Sequence, residues 1–491
     1  MSNFWHNLLE LLSYDPKYPM LFNSGAFFIL FTVFLLIYSF LSKNRTVRTA
    51  YIIAFSLYFY YKASGWYLLI LWLSIVVAWW LALLIERTES KKRKRLYLIL
   101  AIVFSIALLV FFKYTDFFLQ NIGIITGTTF DKLDLFLPIG ISFFTFQTLS
   151  YLIDVHRGEI KASKNFLDYG FYMSFFPHLV AGPIVRARFF LPQLQKPLQL
   201  NQDDMAAGLW LIIRGLVKKA IIADYLAQYN DLVFASPSSY SGFEVMMAIY
   251  GYTLQIFCDF SGYSDMAIGI AKLMGYQLGD NFNSPYKAGN ITEFWRRWHI
   301  SLTSWFRDYL FFPLALRRKN PSQLYMHACL IFVFLVSGLW HGPAWKFVFW
   351  GGMHGVGLAL HKLYTRVSRK RKIHFPFGKV LSWLLTFHFV VFLWVFFRAS
   401  GFHAAWGMIT SVFTDMDWAY FTPFVEVRSL WITLFLLGFL THFTPDKWNI
   451  KINAFFIRLP WPVKALILLL AIQFTVQLMS ADVQPFIYFQ F

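Results

Sequence analysis

The chain has 491 residues, of which 58% are hydrophobic, 21% aromatic and only 14% charged. A soluble domain carries about 25% charged residues, so the composition excludes a soluble protein of this size and makes lipid the solvent for much of its surface. The net charge of +19 comes from 44 Lys and Arg against 25 Asp and Glu. It falls in short blocks between apolar runs, which marks membrane topology beside anionic lipid rather than a nucleic-acid surface.

Residues 1–22 hold Glu10, Asp15 and Lys17 and lack the basic start and short apolar run of a cleavable signal peptide. Residues 3–12 are expected to form an interfacial helix, so 1–22 reads as an interfacial N-terminal segment. Residues 25–42, 66–85, 96–112 and 380–397 are free of charge. About 20 apolar residues cross the hydrocarbon core as a helix. Backbone groups at that depth must bond internally. Continuous apolar runs exclude a β-barrel, which would alternate. Shorter or interrupted runs lie at 49–61, 136–153, 171–181, 208–226, 245–258, 325–340, 347–360, 429–443 and 465–480. The expectation is an all-α polytopic membrane protein in one domain, with about 11 spans plus re-entrant and interfacial helices.

Basic blocks at 43–48, 91–95, 317–319 and 366–372 orient the chain. The positive-inside rule puts these loops in the cytoplasm and the N-terminus outside. Cys258 and Cys329 lie in apolar surroundings with no partner nearby in sequence, which predicts core residues and neither a disulfide framework nor a cysteine metal site.

Residues 136–362 differ from the ordinary spans before them. Pro, Gly, His, Asp and Arg recur there within apolar surroundings, where such residues are costly in lipid and face an interior. This stretch is the expected catalytic centre. Residues 290–310, NITEFWRRWHISLTSWFRDYL, read as one amphipathic interfacial helix. Asn290 is its cap and Glu293 the reciprocal capping residue. Ile291, Phe294, Trp295, Trp298, Leu302, Trp305, Phe306 and Tyr309 share an apolar arc of about 120°. His299 falls at one edge of that arc and Asp308 near the other. His299 is either a border histidine satisfied by a neighbour or a site residue. Residues 333–342, VFLVSGLWHG, end on His341 between Gly338 and Gly342, with Pro343 stopping the helix. Glycine permits close approach of a substrate or of another backbone. His341 is either a general base or a structural histidine bonded to a carbonyl.

His354 and His361, seven apart, share a helix face, but no third ligand is spaced to complete a metal site. Asp259 and Asp265 lie in a Gly-rich membrane segment, where they bind a cation, pair with Arg or cap a broken helix. Walker-type, dinucleotide-binding and GxSxG motifs are missing from the sequence.

WRRWHISLTSWFRDYLFFPL at 295–314 and SGLWHGPAWKFVFWGGMHG at 337–355 resemble the alginate O-acetylation branch of the membrane-bound O-acyltransferase family. LPIGISFFTFQTLSYLIDVHRG at 137–158, FFPHLVAGPIVR at 175–186 and YTLQIFCDFSGYSDMAIGIAKLMGY at 252–276 are similar to the same branch. The chain departs from the branch at Ala315 and Leu316, where two glycines are usual.

The resemblance implies a shell of tilted helices around a central pore, with His341 catalytic and His299 the second polar residue of the active site. Trp295, Asn290, Asp308, Gly338, Trp340 and Asp265 complete the candidate substrate-binding set. The implied reaction moves a short acyl group, acetyl foremost, from a cytosolic thioester to a hydroxyl of an exported polysaccharide or of a partner protein. The thioester is acetyl-coenzyme A or an acyl carrier, and no bound cofactor or metal is implied. The implied partner is a periplasmic or extracellular protein of the SGNH-hydrolase type, and the implied location is the bacterial cytoplasmic (inner) membrane. A sister branch D-alanylates teichoic acid. Two non-enzymatic readings are a transporter whose buried His and Asp relay protons, and a scaffold that recruits an outside hydrolase. No inverted repeat supports transport.

Overall fold

The computed structural model describes residues 12–16, 19–41, 43–180, 182–371 and 377–478. The N-terminal helix expected at residues 3–12 lies almost wholly outside these residues, as does the end of the basic block at 366–372. The described residues contain helices, turns and loops, with no strand among them. The helices run α1 Gly25–Leu41, α2 Arg45–Ser64, α3 Leu68–Arg87, α4 Lys91–Thr126, α5 Ile141–Arg157, α6 Phe166–Ser174, α7 Phe176–Leu179, α8 Ala187–Gln195, α9 Gln202–Leu216, α10 Asp224–Ala235 and α11 Gly242–Leu273. They continue as α12 Ile291–Arg297, α13 Ile300–Phe306, α14 Phe312–Ala315, α15 Gln323–His341, α16 Trp345–Arg371, α17 Gly378–Arg398, α18 Phe402–Thr414, α19 Phe421–Val427, α20 Ser429–Phe443, α21 Asp446–Arg458 and α22 Trp461–Leu478.

Five helical stretches among the described residues are long and apolar enough to cross a membrane: Arg45–Arg87, Lys91–Thr126, Gln323–His341, Gly378–Arg398 and Trp461–Leu478. A sixth is a pair, Trp418–Val427 and Ser429–Phe443, bent by 94°. Arg45–Arg87 has 43 residues, about 64 Å of helix at 1.5 Å per residue and roughly twice the hydrocarbon thickness. Gly65, with φ of 58°, divides it into α2 and α3 of 20 residues each. The other apolar runs fold as helices too short or too polar to meet that measure. Residues 171–181, for example, are cut by the start of α7, where Pro177 sits in the first turn.

Chain contacts divide the protein into two units, Met1–Ile212 with Met266–Gly279, and Ile213–Asp265 with Asp280–Phe491. In the first unit, the ring of Phe176 is surrounded by Phe22, Phe27, Phe31, Phe34, Phe55 and Phe59 at centroid distances of 5.1 to 6.3 Å. Buried hydroxyls pin backbone to this core: Tyr60 donates to the carbonyl of Ile139 at 2.8 Å, and Tyr38 to that of Met274 at 2.7 Å.

The second unit holds every candidate site residue. Its α15 and α16 approach closely because their contacts are glycines. A Cβ on Gly338 would lie 2.2 Å from the Phe347 carbonyl oxygen, and one on Gly351 would lie 2.1 Å from that of Phe334. Gly338 therefore serves the approach of a second backbone.

Between α9 and α10 the chain winds as a π-helix, Val217–Ala223. It carries Lys218 and Lys219 into a buried ion network with α11. Lys219 donates to Asp224 at 2.7 Å and to Asp259. Arg214 and Lys218 hold the two carboxylate oxygens of Asp265 at 2.6 and 2.8 Å. Of the roles open to these two residues, Asp265 shows the expected pairing with Arg, shared with Lys218, while Asp259 pairs with a lysine instead.

Candidate active site

The segment 290–310 is not one helix, which corrects the expectation from its periodicity. It breaks after α12 at Trp298, and His299 takes a left-handed conformation with φ of 43° and ψ of 55°. For a residue other than glycine this costs about 1–3 kcal/mol and must be held by its surroundings. The loop 281–283 does so. The Asn283 N–H donates to the Arg297 carbonyl at 2.9 Å, and the Ile300 N–H donates to the Asn281 carbonyl at 2.9 Å. These two bonds replace part of the helical ladder that the break removes. Every residue assigned to the apolar arc is nonetheless buried, because both half-helices keep their apolar faces inward. The cap at Asn290 is present: its side-chain oxygen accepts the Glu293 N–H at 2.9 Å. Glu293 reaches back to the N–H of Gly289 at 3.0 Å rather than to that of Asn290.

The break turns His299 fully inward, to 0% exposure. Its Nδ1 lies 3.1 Å from Oδ1 of Asn281. That oxygen also accepts the backbone N–H of Ser301 at 3.3 Å and its hydroxyl at 2.8 Å, while the Asn281 amide nitrogen donates to Ser264 at 3.2 Å. Oδ1 is thus an acceptor, so Nδ1 of His299 carries a proton, and in the neutral form of the ring Nε2 is the lone-pair nitrogen. Phe260 lies edge-on to the imidazole at 4.6 Å.

His341 is the last residue of α15 and is 3% exposed. Its imidazole lies against Trp340 at 4.9 Å, Trp350 at 4.9 Å and Phe397 at 5.4 Å. Trp340 is also 6.3 Å from His299. One indole therefore contacts both imidazoles, and the sequence segments 295–314 and 337–355 meet there. Two buried histidines against one indole form a group that can exchange a proton with a hydroxyl.

The remaining candidates take different places. Trp295 is buried and donates its indole N–H to Nδ1 of His354 at 3.3 Å. His361 also faces α12, with Thr292 Oγ1 2.9 Å from its Nδ1, so the two histidines do share one face of α16. Asp308 accepts from Nε of Arg307 at 2.8 Å and is 19% exposed. Asp265 is held by its two cations, and Asn290 by its cap. Cys258 and Cys329 are buried free thiols. The sequence reading missed Asn281 and Trp350. Asn281 lies in an irregular loop with no periodic signal. Trp350 is four residues before His354, a spacing that puts both on one helix face and would have marked it.

The family model of the membrane-bound O-acyltransferases matches residues 55–406. The chain is 40% identical over 428 residues to a peptidoglycan O-acetyltransferase of Helicobacter pylori, covering 81% of this chain and 80% of that protein. It is 35% identical over 502 residues to a probable alginate O-acetylase AlgI of Pseudomonas putida, covering 96% of this chain and 100% of that protein. A teichoic acid D-alanyltransferase of Bacillus subtilis is 30% identical over 275 residues, 54% of this chain and 69% of that protein. The match runs through both histidine segments and the apolar helices around them, and the chain belongs to the membrane-bound O-acyltransferase family, as a multi-pass membrane O-acyltransferase.

Proposed function

We propose that the protein transfers an acetyl group from a cytosolic thioester, acetyl-coenzyme A or an acyl carrier, to a hydroxyl of an exported polysaccharide or of a partner protein. His341 is the general base and His299 orients the acceptor. The observation that carries this reading is the contact of two buried imidazoles with the one indole of Trp340. The lone pair on Nε2 of a neutral His299 suits it to accept a hydrogen bond from the incoming hydroxyl, whose proton His341 then takes. A thioester has a good leaving group, so the transfer calls on a base and on stabilisation of the oxyanion, not on a Lewis acid. Acetyl is favoured over D-alanyl because the relatives named as O-acetyltransferases match more of the chain at higher identity. A periplasmic or extracellular protein of the SGNH-hydrolase type is the partner that receives or relays the acyl group.

The test is the alkali-labile acetate of the exported polysaccharide. Deleting the gene is expected to remove it, and expressing this chain to restore it. Unchanged acetate in the deletion strain would reject the reading, and alkali-labile D-alanine lost in its place would favour the sister activity.

The protein sits in the bacterial cytoplasmic membrane with its N-terminus outside, as the basic loops suggest. A cysteine replacing Lys92 is expected to resist an impermeant thiol reagent in intact cells and to react after permeabilisation. Labelling in intact cells would reverse the orientation.

A further inference from the structure

Beside His341 the second unit holds two buried N–H groups that have no acceptor. Trp350 and His354 are four residues apart on α16 and share one face, with rings 4.8 Å apart. Both are 0% exposed. Nδ1 of His354 accepts the Trp295 indole N–H. A ring nitrogen that accepts carries no proton, so the His354 ring is neutral and its proton is on Nε2. Among the described residues, neither Nε2 of His354 nor Nε1 of Trp350 has a hydrogen-bond partner. Buried polar groups are nearly always hydrogen-bonded, and each exception calls for an explanation. Here exceptions occur together, with Nε1 of Trp394 a third among the described residues and its ring 5.7 Å from that of Trp350, but it is Trp350 that lies 4.9 Å from the imidazole of His341. The surrounding side chains, Phe294, Phe389, Phe397 and Trp394, are aromatic and offer no competing acceptor oxygen. Such a low-polarity setting strengthens any hydrogen bond the two donors make.

We propose that Nε1–H of Trp350 and Nε2–H of His354 form the oxyanion hole of the acyl transfer. This rests on His341 being the base. The acceptor hydroxyl oxygen attacks the thioester carbonyl carbon, and its proton passes to the His341 imidazole. The carbonyl π pair moves onto oxygen, and the two N–H groups donate to the resulting oxyanion. Collapse restores the C=O bond and breaks the C–S bond, and the departing thiolate takes the proton from His341. The products are an ester and a free thiol, and both donors are unchanged. Trp295 is then a positioning residue, since its N–H fixes the tautomer in which His354 donates from Nε2.

The experiment expresses full-length variants in the deletion strain, at membrane protein levels matched by immunoblot. It follows the rate of labelled acetyl incorporation into exported polysaccharide. Trp350→Phe keeps an aromatic ring and removes the N–H, and the rate is expected to fall about 10²–10³-fold, as for loss of one oxyanion donor. His354→Leu is expected to fall as far, while His354→Gln, which returns an N–H near the Nε2 position, recovers at least about a tenth of the wild-type rate. Should His354→Leu fail to accumulate, Trp350→Phe and His354→Gln decide. A loss below about tenfold in Trp350→Phe would mean that the two donors hold only water, and overturns the proposal. His341→Ala in the same strain separates the two claims. If it is inactive while Trp350→Phe is active, only the oxyanion hole fails; if His341→Ala is active, the base assignment fails.

Discussion

Replacing His341 with alanine is expected to slow acyl transfer by roughly 10²–10⁴-fold while the protein still reaches the membrane. The imidazole is held by Trp340, Trp350 and Phe397, and the other imidazoles on that cage are His299, 6.3 Å from Trp340, and His354, 4.8 Å from Trp350. Losing it removes the proton acceptor and leaves the hydroxyl a weak nucleophile. Alanine also leaves a void among aromatic rings, and voids destabilise. His341→Gln is the cleaner variant, since it keeps most of the volume and removes the base. Both variants should lose activity to a similar extent, with glutamine giving the more stable protein in a detergent melt. His299→Ala is expected to have an equal or smaller effect, because orienting the acceptor contributes less than accepting its proton. A His341→Gln protein that acetylates normally would exclude this residue as the base.

The largest expected loss of stability comes from Lys219→Met. The Lys219 side chain is 1% exposed, and its partners Asp259 and Asp224 are 5% and 12% exposed. Removing one member of a buried pair leaves uncompensated charge and costs about 3–5 kcal/mol. Here a single cation serves two carboxylates, so the cost should lie at the upper end of that range. The same reasoning predicts rescue. Lys219→Met combined with Asp224→Asn and Asp259→Asn removes the orphaned charges and should recover most of the lost melting temperature. If the triple variant melts no higher than Lys219→Met, the network is not the source of the loss.

The parts of this fold that sequence made legible are those set by local chemistry. Continuous apolar runs become α3, α4 and α17 because backbone in lipid has few alternatives to helix. The cap at Asn290 follows from one side chain and the next turn. The meeting of 295–314 with 337–355 was legible only through resemblance, since nothing in either segment's own pattern names the other as its neighbour. His299 illustrates the limit. Its apolar spacing is that of an unbroken helix, and the break depends on bonds to Asn281 and Asn283, residues outside the periodic stretch. Gly338 illustrates another. Sequence left open whether a substrate or a backbone comes close, and the Phe347 carbonyl occupies that side. Asp259 and Asp265 could not be assigned without Lys219 and Lys218, which a π-helical turn brings to them, and Arg214, which comes from α9.

The central claim is that this chain itself carries out acyl transfer using His341. The most direct measurement is made on the purified full-length protein in lipid vesicles, supplied with labelled acetyl-coenzyme A and an oligosaccharide bearing free hydroxyls. Free thiol and base-labile acetyl ester are followed together. The account predicts that the wild-type protein forms both in equal amounts and that His341→Gln forms neither above background. Equal thiol and ester from His341→Gln at the wild-type rate would contradict it.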